Sequence, residues 1–162
     1  MKPTSVDETL TIFDWDGTIQ NTDTVKSSFG MILATLFKPV KKELINKISL
    51  STDSIICTTR SKFFTWLIRL KCFFETFDFN FISDPFKVMT INEYPFYKEE
   101  HPFTEMSIRE IGEIKCYLCL ARYYYNKNQV FKYVVYHDDD MPDDQKPFVI
   151  GLKEDNFFVK EN

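Results

Sequence analysis

Two aspartates one residue apart, Asp14 and Asp16, follow a short apolar run at residues 10–13 and enter a turn closed by Gly17. Alternate side chains of an extended segment share a side, so two such carboxylates can divide the work of one reaction. One can serve as nucleophile or metal ligand while the other moves a proton. An aspartate-rich turn with no chemistry would look the same in isolation, so the pair gains meaning only from what stands opposite it.

Three other stretches supply candidates. Residues 53–60 repeat the first pattern, an apolar run ending in Thr58, Thr59 and Arg60. A hydroxyl there can donate to a phosphate oxygen and the guanidinium can clamp an anion, although the same residues would also serve to cap the helix that follows. A third run, at residues 131–136, leads into His137 and then Asp138, Asp139, Asp140 and Asp143. Carboxylates this dense repel one another unless water or a cation relieves them, and magnesium would take one or two of them together with waters and a substrate phosphate. Lys115, in the helix before that run, can offset the negative charge of a nucleophile and a phosphate; Lys127 and Lys132 are the alternatives.

The elements that must position these groups follow from pattern and punctuation. Strands are expected at 10–13, 53–60, 77–82, 131–136 and 148–152. Helices are expected from the N-cap candidates Thr22, Asp23 and Thr24 to about 37, at 40–48, at 61–76, and at 107–125 behind a Ser107–Glu110 capping box. Residues 1–8 read as frayed. Residues 83–106, with Pro85, Pro95 and Pro102, read as a loop or small insertion. Alternating strands and helices imply one α/β domain over residues 1–162, with a mainly parallel sheet covered on both faces. In such sheets ligands bind beyond the carboxyl ends of the strands, where three of the four candidate segments end.

Composition narrows the classes. The chain has 162 residues, 44% hydrophobic and 17% aromatic, enough for a packed sheet core. Four glycines, and no phosphate-loop or dinucleotide fingerprint, exclude the glycine-rich nucleotide folds. A net charge of −4 does not mark a general nucleic-acid surface. The clusters Lys38, Lys41, Lys42, Lys47 and Arg60, Lys62, Arg69, Lys71 read as solvated helix faces. Cys57, Cys72, Cys116 and Cys119 lack a second CxxC pair and read as buried reduced thiols rather than a zinc site. With no apolar leader and no membrane-length run, an intracellular chain with no membrane association is expected.

In order, spacing and strand context, the four features resemble the haloacid dehalogenase (HAD) superfamily of phosphohydrolases over roughly residues 9–145. Its first motif is similar to Ile12-Phe13-Asp14-Trp15-Asp16-Gly17-Thr18, and its second to Ile56-Cys57-Thr58-Thr59-Arg60. Lys115 stands for the third, and the segment ending in Asp138-Asp139-Asp140-Met141-Pro142-Asp143 for the fourth. The resemblance implies a HAD-like Rossmannoid three-layer sandwich and a Mg²⁺-dependent phosphatase in which Asp14 attacks phosphorus and Asp16 is the acid and base. It further implies that Thr58 and Lys115 hold phosphate oxygens, with Thr59 and Arg60 beside the substrate. The metal would lie on Asp14, the Asp16 carbonyl and Asp139, with Asp138 as the other register. Only about thirty-five residues separate the first two motifs, too few for a large helical cap. An open site suits a large phosphorylated substrate, such as a phosphoprotein or a nucleic-acid end; the helix after Arg60 and the aromatic-rich segment are also similar to the branch associated with RNA-repair proteins. A domain that keeps the fold and the motifs for binding or regulation, without catalysis, is the alternative.

Overall fold

The computed structural model describes residues 5–22, 25, 27–93, 108–137, 148–151 and 159–161. Strand β1 (Ser5–Phe13) is followed by helices α1 (Ser28–Phe37) and α2 (Lys42–Leu50), then by β2 (Ser54–Thr58) and α3 (Lys62–Thr76). After a one-turn helix α4 (Asn80–Ser83) come β3 (Val88–Thr90) and a 3₁₀ turn, then α5 (Ile108–Lys127), β4 (Gln129–His137), β5 (Phe148–Gly151) and β6 (Val159–Glu161). The sheet order is β3-β2-β1-β4-β5-β6. Strands β3, β2, β1 and β4 run parallel, while β5 and β6 are antiparallel additions at the β4 edge.

Two apolar clusters, one on each face of the sheet, make the three layers. Leu10, Ile12, Ile55, Cys57, Val134 and Tyr136 meet Cys116, Cys119 and Tyr123 of α5. Phe13, Ile56 and Val88 meet Ile45 and Ile48 of α2 and Ile68 and Cys72 of α3. The period of two along β1 and β2 sends alternate residues to opposite layers. All four cysteines are buried and free. Burial raises the pKa of the Cys116 thiol, and a hydrogen bond with Cys57 together with burial raises that of Cys119.

The chain departs from the expected elements in several places. Residues 77–82, read as a strand, instead form a left-handed turn and α4. Phe77 has φ 57°. Thr76 Oγ1 accepts from Asp78 N–H at 3.1 Å and Asp78 Oδ1 accepts from Asn80 N–H at 3.0 Å, local bonds that compete with a ladder. The third strand is β3, inside the stretch expected to be a loop. Arg69 organises the approach to it, donating to the carbonyls of Phe81, Asp84, Pro85 and Val88 at 2.6–3.1 Å. Ser5 to Glu8, expected to fray, belong to β1 and pair with β4 from Ser5↔Gln129 onward. Helix α1 starts later than expected, capped by Ser27, whose side chain accepts from Gly30 N–H. The Ser107 half of the capping box lies outside the described residues.

The second basic cluster is largely not a solvated face. Arg60, Arg69 and Lys71 are buried. Lys71 donates to the Leu36 carbonyl at 3.1 Å and pairs with Glu75 at 3.2 Å. Among the described residues no helix is long and apolar enough to cross a membrane.

Candidate active site

Strand β1 is central, and the chain builds outward from it on one side through β2 and β3 before returning to its other side as β4. The sheet therefore has its topological switch point between β1 and β4, the place beyond the strand ends where sheets of this kind bind ligands. Phe13 is in register with His137, and the next residue, Asp14, continues the ladder through its N–H to the His137 carbonyl at 3.0 Å. The imidazole of His137 stacks on the Phe13 ring at 4.8 Å.

Alternation decides where Asp14 points. Leu10 and Ile12 face α5, and Asp14, two residues on, meets Lys115 of that helix. Lys115 lies in the same inward stripe of α5 as Cys116, Cys119 and Tyr123 and is fully buried. Its Nζ donates to Asp14 Oδ1 at 2.7 Å and to the Tyr136 hydroxyl at 3.0 Å. Burial alone pulls the ammonium's pKa down. The Asp14 charge, supported by Tyr136, Cys57 and the hydrogen bond, outweighs it, so the net pKa lies well above the ordinary lysine value.

Beyond Asp14 the chain turns sharply. Gly17 has φ 80°, in the left-handed region that glycine tolerates, and its N–H reaches the Gln20 carbonyl at 2.7 Å. Trp15, fully buried, donates from Nε1 to Gln20 Oε1 at 3.1 Å. Gln20 Nε2 in turn donates to the carbonyls of Ala34, Thr35 and Lys38 at 2.9–3.1 Å, closing the C-terminal end of α1.

The Asp16 carboxylate has a different cation. Arg60 grips it with Nε at 2.8 Å and with a second guanidinium nitrogen, and Thr22 donates its hydroxyl to Asp16 as well. The remaining arm of Arg60 donates to Thr35 Oγ1 at 2.9 Å. In this arrangement Arg60 is committed to Asp16 and α1 rather than open to an incoming anion, the role the sequence suggested. Thr58 is fully buried at the end of β2, and its Oγ1 accepts from Arg60 N–H at 3.1 Å, leaving the hydroxyl its own proton to donate. Strand β3 and the 3₁₀ turn after it brace this loop. Thr90 donates to the Arg60 carbonyl and Asn92 to the Thr59 carbonyl.

Asp14 and Lys115 thus stand in contact, and Asp16 and Arg60 in contact, at the switch point. Asp138, Asp139, Asp140 and Asp143 lie outside the described residues. Among the described residues no group of three or more His, Cys, Asp or Glu side chains is arranged to hold a metal. Of the described residues, the Asp14 carboxylate and the Asp16 carbonyl are hard oxygen donors, the type that magnesium takes. Tyr136, Gln20 and Thr35 were not singled out from sequence, and Thr22 only as an N-cap candidate. Tyr136 reads there as one more apolar strand residue, and the polar partners lie in turns and helices with no spacing that marks them. No family model, no curated protein and no solved structure matches the chain.

Proposed function

We propose that the chain is a Mg²⁺-dependent phosphohydrolase of the HAD type that works through an aspartyl-phosphate on Asp14. One observation carries this reading: a carboxylate at the carboxyl end of the central strand, at the switch point of a parallel sheet, held 2.7 Å from a fully buried lysine. The Lys115 ammonium would offset the charge of an approaching phosphate ester.

In this mechanism an Asp14 oxygen bonds to phosphorus as the bond from phosphorus to the leaving oxygen breaks. Asp16 gives its proton to that oxygen, then takes one from the water that hydrolyses the acyl-phosphate, releasing inorganic phosphate and restoring Asp14. Thr58 donates to a phosphoryl oxygen, and Lys115 offsets the developing charge. Proton transfer through Asp16 requires that its grip on Arg60 loosen once substrate is bound. Asp14, the Asp16 carbonyl and Asp139 or Asp138 would hold magnesium, which would supply further charge neutralisation.

The test is hydrolysis of an aryl phosphate with and without Mg²⁺, comparing wild type with Asp14→Asn. Metal-dependent turnover confined to wild type is expected; no turnover of any ester by wild type would sink the enzyme reading. A panel of sugar phosphates, phosphopeptides and 5′- and 3′-phosphorylated oligonucleotides then tests the expectation of a large substrate. The Asp16–Arg60 pair favours a second reading, a binding or regulatory domain of the same fold, because it leaves the proton-transfer carboxylate already engaged. That reading predicts phosphate-ester or Mg²⁺ binding without turnover.

A further inference from the structure

Helix α3 has an inverted surface. Arg69 and Lys71 turn inward onto backbone carbonyls, while Lys62 at the start of the helix stays exposed. Phe63, Trp66, Leu70 and Phe74, at helical spacing, line its outward face. Helix α1 carries no acidic or basic residue, and its Phe29, Leu33 and Phe37 are spaced four apart on one exposed stripe. The two helices are neighbours, since Lys71 of α3 reaches the Leu36 carbonyl of α1. A helix that is apolar on its solvent side as well as its inner side is normally covered.

Size and charge identify the cover. Phe29, Phe37, Phe63, Trp66, Phe74 and Phe77 are each half to four-fifths exposed. At the usual size of such side chains they present roughly 800 Å², taking about 150–250 Å² for each aromatic when fully open. The largest apolar patch on a typical monomer is about 300–600 Å², whereas each partner of a stable complex contributes about 800 Å². The α1 stripe carries no charge and the α3 stripe has one exposed lysine, Lys62, at its end, so most of the face can meet its own copy without like-charge repulsion. With Arg69 and Lys71 turned inward, the one exposed cation of α3 is Lys62 at the first residue of the helix, a single charge at one end of the stripe for an acidic protein or an anionic bilayer.

We propose that the α1/α3 face is an isologous interface through which two copies of this chain form a homodimer. The inference is independent of the proposed catalysis.

Sedimentation equilibrium of the full chain over a wide concentration range tests it. A reversible dimer in wild type, and a monomer with unchanged far-UV circular dichroism in Trp66→Glu/Phe74→Glu, is the expected result. A wild type that stays monomeric throughout overturns the proposal, as does a dimer that survives the double substitution. Wild-type monomer that binds anionic phospholipid vesicles would assign the face to lipid instead and overturn it too. Should the variant fail to fold, the wild type alone still decides. Of its two tryptophans, Trp15 is buried and Trp66 half exposed. Acrylamide quenching should rise on dilution as Trp66 is uncovered; quenching that is strong and independent of concentration overturns the dimer.

Discussion

Lys115 Nζ and Asp14 Oδ1 are 2.7 Å apart, and both residues are withdrawn from solvent. A pair this buried behaves asymmetrically. Removing one member leaves the other charged without compensation, at a cost of about 3–5 kcal/mol, while removing both costs far less. Lys115→Met is therefore expected to lower stability by about 3–5 kcal/mol, and the double variant Lys115→Met/Asp14→Asn to recover most of it. Urea unfolding of the four proteins in the cycle measures this. A double-variant loss equal to the sum of the two single losses would show that the two residues are not coupled.

The same pair sets an alkaline limit. The folded-state pKa of Lys115 is raised well above the ordinary lysine value of 10.5. The folded form thus holds a proton that the unfolded chain releases. Its contribution is complete below about pH 10.4 and is lost as pH rises from there through the folded pKa. Wild-type stability should fall over that range, with a slope that Lys115→Met lacks.

His137 works in the opposite direction. Burial, reinforced by Lys47, lowers its pKa. The unfolded chain takes up a proton first, so stability should decline as pH falls from the ordinary value of about 6.5 down to the folded pKa. His137→Phe keeps the stack on Phe13 and should flatten that acid limb. Unfolding midpoints across roughly pH 5 to 8 give the comparison.

Arg60 can be tested by its shape rather than its charge. Lysine at this position retains a cation but not the fork that reaches Asp16 and Thr35 together. Arg60→Lys is expected to lose about 1–3 kcal/mol of stability through those bonds. If catalysis proceeds as proposed, the change should appear in kcat more than in KM, since the substitution disturbs the proton-transfer group. Unchanged kcat with raised KM would return Arg60 to the substrate-clamping role.

Tyr136 is the residue whose contribution sequence conceals. Tyr136→Phe preserves the core ring and removes one hydrogen bond to a buried ammonium, about 1.5–3 kcal/mol, measurable by thermal unfolding.

What could be foreseen depended on how local its cause was. Asp14 at a strand end, the helix at 62–76 and the parallel order around β1 follow from apolar periodicity and turn residues within a short window. The strand expected at 77–82 failed because the Thr76 and Asp78 side chains accept from backbone N–H groups two residues on, bonds that period-two alternation does not register. Strand β3 was hidden for a related reason: it has three residues, and Arg69 of the preceding helix holds the loop before it. Likewise, spacing located Arg60 but not its direction, which depends on Thr35, twenty-five residues upstream.

The contact between Asp14 and Lys115 joins residues 101 apart in the chain. β1 has its β2 neighbour soon after synthesis, but its β4 neighbour, and the helix bearing Lys115, come only in the last third. Loop closure over that distance makes such a contact late and slow to form. On the ribosome, a nascent chain would therefore carry Asp14 without its lysine through most of its synthesis. Completion of the site and completion of the domain become one event, and truncation before α5 would remove both together.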